Sequence, residues 1–157
     1  MKKFYVIFFI FTMMIIPSIT FGNVIDKLNE TGKFTKLNET LMKSGLSDNL
    51  KDKGPFTVFA PLDDAFAAIS AKTYYGLLRE ENKDKLVNIL GRHVFLKKIN
   101  SSEIDGEIKL KAINGEEITI KKVNGIVYIN EAEVVTADIE TSNGIIHFIN
   151  RVLQPLN

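Results

Sequence analysis

Asn143-Gly144-Ile145-Ile146-His147-Phe148-Ile149-Asn150-Arg151-Val152-Leu153-Gln154-Pro155 opens on a turn signal and closes on a strand breaker. Glycine takes positive φ without steric cost, so Asn143-Gly144, following Ser142, marks a reversal of the chain. β-branched and aromatic residues fill the space between the two ends. Ile145, Ile146, Phe148, Ile149, Val152 and Leu153 put apolar groups on both faces, which predicts a strand sandwiched between layers rather than half exposed. The polar residues of the run, His147, Asn150 and Arg151, need partners wherever they are buried. Such a strand must be received by elements made upstream.

Those elements are legible in outline. Asn114-Gly115 and Asn124-Gly125 separate the runs 108–113, 118–123 and 126–130, the pattern of a three-stranded antiparallel meander. Val134-Val135 adds a further strand before the final one. Earlier in the chain, Phe56-Thr57-Val58-Phe59-Ala60 is apolar nearly throughout and ends at Pro61, so it reads as a central strand. Leu62-Asp63-Asp64-Ala65-Phe66 then begins a helix with carboxylates in its first turn, where the helix dipole favours them. Tyr74, Leu77 and Leu78 suit a short helix, residues 83–93 a longer one, and Val94-Phe95-Leu96 a short strand. Asn23 to Ser44 divides into two helices punctuated by Gly32 and Gly45, with Phe34, Leu37, Leu41 and Met42 on one stripe. Leu46 to Lys53 reads as a connector. Helices first and hairpins later argue for an α+β domain, not a parallel βαβ fold.

The 157 residues suffice for one domain with a real core, and 45% hydrophobic with 25% charged residues is a globular balance. A formal charge of +1 carries no electrostatic footprint for nucleic acid. The chain has no cysteine, which excludes a disulfide framework, thiol catalysis and Cys-ligated zinc. Residues 1–22 read as a secretory signal peptide: Lys2-Lys3, then a run from Phe4 to Ile16 that is apolar except for Thr12, then Thr20-Phe21-Gly22 with small residues at the −3 and −1 positions of a cleavage point after Gly22. The run is short of the ~20 residues that span a bilayer. Its loss removes two lysines and no acid, which takes the charge from +1 to −1. Residues 23–157 form the expected mature domain, without a stable membrane span.

Three separated segments resemble one family. Thr57, Phe59, Pro61, Asp63, Ala65 and Phe66, in Thr57-Val58-Phe59-Ala60-Pro61-Leu62-Asp63-Asp64-Ala65-Phe66, match the first motif of fasciclin (FAS1, beta-Ig-H3) domains, close to TVFAPTNEAF. Leu86 to Leu90 with His93-Val94 is similar to the family's central segment, which ends in Tyr-His. Asn143, Gly144 and His147, through to Pro155, match the last motif, close to NGVIHVIDRVLLP. The resemblance implies a single FAS1-like domain over the mature chain: antiparallel strands in a β wedge or sandwich, with short helices packed on one side. It also implies a secreted, periplasmic or cell-surface adhesion module that binds a surface or matrix protein or glycan. Two departures stand out. Leu62 replaces the usual Thr or Ser, so Asp63 is expected to cap the helix that follows. Arg92 replaces the Tyr of Tyr-His. The recognition dipeptide proposed for animal members is present as Asp138-Ile139, and Asp138, Ile139 and Arg92 are the expected partner contacts, on exposed loops and edges.

The residues offer little catalytic chemistry. His93 and His147 could form a metal pair or a general base, but zinc wants four ligands in tight local spacing, so hydrogen-bonded core histidines are the reading adopted. Neither a metal nor a cofactor is expected. Asp63 and Asp64 suit capping better than acid/base work. Lys109, Lys111, Lys121 and Lys122 on the meander suit solvated strand faces better than an anion-binding patch. No serine sits in a nucleophile elbow, and no phosphate loop exists. The alternative is an exported small-ligand carrier or enzyme built around a pocket near His93 or His147.

Overall fold

The structure, a computed structural model, describes residues 20–154. Pro155 and all but the last three residues of the expected signal peptide lie outside the described residues.

Three helices open the domain: α1 (Val24–Thr31), α2 (Thr35–Ser44) and α3 (Leu46–Asp52). Asn23 caps α1 in a capping box with Asp26, and Gly32 and Gly45 end α1 and α2 in the left-handed conformation. The expected connector is therefore a helix, because Ser47 and Leu50 turn one face inward while the intervening polar residues face water. Met42 leaves its expected stripe and is exposed, whereas Phe34, Leu37 and Leu41 are buried.

The first strand, β1 (Phe56–Pro61), is followed by a 3-10 turn at Asp63–Ala68, then α4 (Ala71–Leu77), α5 (Lys83–Gly91) and β2 (Val94–Phe95). A second 3-10 turn at Ser101–Glu103 leads into β3 (Glu107–Lys111), β4 (Glu117–Val123), β5 (Ile126–Ile129), β6 (Ala132–Thr141) and β7 (Gly144–Ile149). Asp63 does not cap the turn it begins. Its carboxylate accepts hydrogen bonds from the N–H groups of Thr35 (3.2 Å) and Lys36 (2.8 Å), so it caps α2 instead.

The strand order is β2-β1-β7-β6-β5-β4-β3. The meander β3-β4-β5 is antiparallel as expected, with Asn124 and Gly125 both at positive φ in the two-residue turn. The sheet is not wholly antiparallel. β7 slots between β6 and β1 and runs parallel to β1, pairing Val58 with Ile146, Phe59 with His147 and Ala60 with Phe148. Nor is it an open wedge or sandwich: Ile113, just past β3 at one end of the order, donates its N–H to Val94 O of β2 at the other end (2.9 Å). The sheet is nearly closed on itself.

This geometry explains the two apolar faces of β1 and β7, every residue of which is buried. Val58, Ala60, Ile146 and Phe148 turn outward against α1, α2, α3 and α5. Phe59 and Ile149 turn inward and meet Phe95, Ile104, Ile118, Ile120 and Ile129. Alternating side chains of one strand thus feed two cores. Val58, Phe59, Ile146 and Phe148 share one sheet.

Candidate functional site

β6 and β7 do not pair evenly. The register runs Val134 to Ile149, Thr136 to Phe148, then Ile139 to Ile146, so Ala137 and Asp138 stand together opposite His147. This is a β-bulge, and it places Asp138 at φ +61°. Asp and Asn tolerate that left-handed region better than other residues with a Cβ. Asp138-Ile139, expected on a loop, therefore lies within a strand, at its irregularity.

A hydrogen-bond frame holds the bulge. The Asp138 carboxylate accepts from the N–H of Ser101 (2.8 Å) and from its hydroxyl. The Asp138 N–H donates to Nδ1 of His147 (3.2 Å), and His147 Nε2–H donates to Ile99 O (2.7 Å). Lys122 Nζ donates to Ser101 O (3.2 Å). The His147 ring stacks on Phe59 at 5.0 Å between centroids. Burial tends to raise the Asp138 carboxyl pKa, but both bonds from Ser101, with help from His147 and Lys122, hold it below the usual carboxylate value. The Asp138 side chain stays 39% exposed. Ile139 is half-buried and packs on the outer core.

Ser101, Asp138 and His147 carry the residue types of a hydrolytic triad in the wrong wiring. The Ser101 hydroxyl points to the carboxylate, not to the imidazole. His147 is 1% exposed, and both ring nitrogens are committed to backbone groups. It has no lone pair left to take a proton from a nucleophile.

His93 is bound in the same manner with the other tautomer. Its Nδ1–H donates to Ile89 O (2.9 Å), and its Nε2 accepts from the N–H of Leu153 (2.9 Å). Burial, assisted by the adjacent Arg92 charge, pushes His93 down to about 4, and burial also lowers His147. Both rings are buried and hydrogen-bonded to backbone groups on their own helix, on the neighbouring strand or far along the chain. Among the described residues, no group of three or more His, Cys, Asp or Glu side chains is placed to hold a metal.

Arg92 is not an exposed contact. It is 4% exposed at the end of α5, and its Nη2 pairs with Glu116 in the β3-β4 turn. Its Nε and Nη1 meet no acceptor among the described residues. Beside it, Gly91 lets Asn114 of the β3-β4 turn come close: a Cβ at Gly91 would lie 2.9 Å from that of Asn114. The meander lysines Lys109, Lys111 and Lys121 are exposed.

The site residues missed by sequence reasoning are Ser101 and Ile99. Their signal was faint, since Asn100-Ser101-Ser102-Glu103 reads as a capping box only once the turn is known.

Comparison with known proteins places this geometry. The fasciclin domain family model matches residues 32–155. Protein sll1483 of Synechocystis is 45% identical over 128 residues, 81% of this chain and 69% of that protein. The transforming growth factor-beta-induced protein ig-h3 of Sus scrofa is 34% identical over 93% of this chain, which spans only 21% of that protein's length. The FAS1 domain pair of the insect cell adhesion molecule fasciclin I superposes with a TM-score of 0.75 over 87% of this chain and 52% of the pair, at 21% identity, which is a likeness of fold. With the family model covering most of the chain and a relative 45% identical over 69% of its own length, this chain belongs to the fasciclin domain family.

Proposed function

We propose that the chain is exported, with residues 1–22 removed, and acts outside the cytoplasm as a binding domain for a surface or matrix protein or glycan. Asp138 and Ile139 are its contact residues. The observation that supports them is the bulge: it lifts a half-exposed carboxylate out of a strand and fixes it from behind through Ser101 and His147. A preorganised acceptor loses little freedom on binding. The insect cell adhesion molecule fasciclin I, which this chain resembles in fold, is named for adhesion and is in keeping with this reading. Burial removes Arg92 from the contact set, and its pairing with Glu116 gives it the role of supporting the β3-β4 turn.

The test compares wild type with Asp138→Asn and Ile139→Val for binding to whole cells, matrix proteins and glycans, with a melting curve for each. Asn keeps the left-handed bulge but loses the charge, and Val trims one methylene. Loss of binding at a constant melting temperature supports the assignment. Unchanged binding in both variants, or loss only in step with unfolding, refutes it. N-terminal sequencing of exported protein should begin at Asn23.

A further inference from the structure

The helices outside the sheet surround a cavity of about 220 Å³. Phe66, Leu86, Leu90 and His93, all at least nine-tenths buried, form its inner wall. Half-buried Ile69 also lines it, and exposed Thr73, Lys85 and Gln154 form its solvent side. Every side-chain donor at depth is already used. The Thr40 hydroxyl donates to Leu37 O (2.7 Å), His93 Nδ1–H to Ile89 O (2.9 Å) and the Tyr74 hydroxyl to Glu39 (2.6 Å). An oxygen brought there would shed its water and find no donor in return. The inner part therefore takes hydrocarbon only.

The solvent side is different. Lys83 pairs with Glu80 nearby, but Lys85 makes no ion pair among the described residues. Lys85 is thus an exposed cationic residue in the lining of a largely apolar cavity, with no ion-pair partner among the described residues. Size sets the occupant: an apolar cavity of about 150 Å³ holds a benzene-sized guest, so this one has room for about nine heavy atoms.

We propose that this cavity binds a small amphipathic monocarboxylate, its hydrocarbon body against Phe66, Leu86 and Leu90 and its carboxylate outward on Lys85. The site shares no residue with the Asp138-Ile139 bulge and stands or falls separately from it. It uses His93 as wall, not as a reacting group.

Octanoate, with a tail of seven carbons, is the probe, measured by titration calorimetry on the purified protein. Octanol keeps the body without the charge, and acetate keeps the charge without the body. Octanoate is expected to bind saturably, octanol about tenfold more weakly and acetate not at all. Lys85→Met, a change at an exposed position, should bring octanoate down to the octanol level. Ile69→Phe should block both, with the melting curve checking that the fold survives. Carbon-labelled octanoate should show contacts to Leu86 and Leu90 methyl groups. The proposal is overturned by an absence of saturable binding, by equal affinity for octanoate in Lys85→Met, or by contacts to methyl groups elsewhere on the surface.

Discussion

A methyl group on Gly144 would sit 2.1 Å from the backbone oxygen of Phe56. No flexible side chain can move to relieve that contact, so Gly144→Ala should cost more than about 4 kcal/mol or abolish folding, as read by urea unfolding. Gly144 was legible as a turn residue, but for another reason: it has no positive φ, and the demand for glycine comes from a strand far back in the chain. Its neighbour Asn143 was legible in the same way, yet its side chain bonds Val24 N–H (2.9 Å), Leu50 O (2.7 Å) and Lys53 O (2.8 Å). A turn signal describes local dihedrals and is silent about such distant partners. Asp138→Ala removes two bonds from Ser101 and a residue suited to φ +61°, and should cost about 1–2 kcal/mol, the exposure of the carboxylate keeping the figure low. The histidines make stability depend on pH. Both have folded pKa values below the ordinary value of about 6.5, with His93 at about 4, so in that window the unfolded chain takes protons that the native state refuses. Their contribution is complete above pH ~6.5 and falls with acidification, by up to about 1.4 kcal/mol per pH unit for each ring. Urea midpoints measured from pH 7.5 to 4.5 should decline steadily; a flat profile would mean that the rings are not held neutral.

Elements show which sequence signals survive tertiary context. The meander and its Asn-Gly turns came through because they depend on neighbours in sequence. α3 did not, because seven residues with two inward side chains give too little periodicity to read. The bulges of β6 were equally hidden: Ala137-Asp138 becomes an insertion only against the register of β7. Asp63 was legible as a cap and misassigned to its own turn, since a carboxylate can serve any helix end that folding brings near. Asp63→Ala should therefore destabilise by about 1 kcal/mol and act on α2, with the loss of amide protection centred on Thr35 and Lys36. Phe148 is 7% exposed and meets the edge of Phe34 at 4.8 Å, so Phe148→Ala should cost about 3–5 kcal/mol. Met42→Ser, at an exposed position, should change the urea midpoint little. A reversal of that order would place the outer core elsewhere.

At the scale of the whole molecule, α+β character was legible because helices and hairpins occupy different halves of the chain. The parallel β1-β7 pair was not, since nothing local in an apolar strand records which way its neighbour runs. Near-closure through Ile113 and Val94 was hidden likewise, because a single backbone bond joins the ends of the order. A chain ending at Asn143 lacks the strand that joins β1 to β6, and it should show no cooperative calorimetric transition.

The placement of β7 also sets a clock. Of the seven strands among the described residues it is the last to leave the ribosome, and it fills a central slot, not an edge. Until it arrives, β1 and β6 each hold an open ladder, and the nascent polypeptide has no route to its native topology. A chain threaded N-terminus first through a translocation pore, as the export reading requires, would thus stay slack enough to pass. It would lock only after its final strand had crossed, so that the order of residues works as a delay built into the fold.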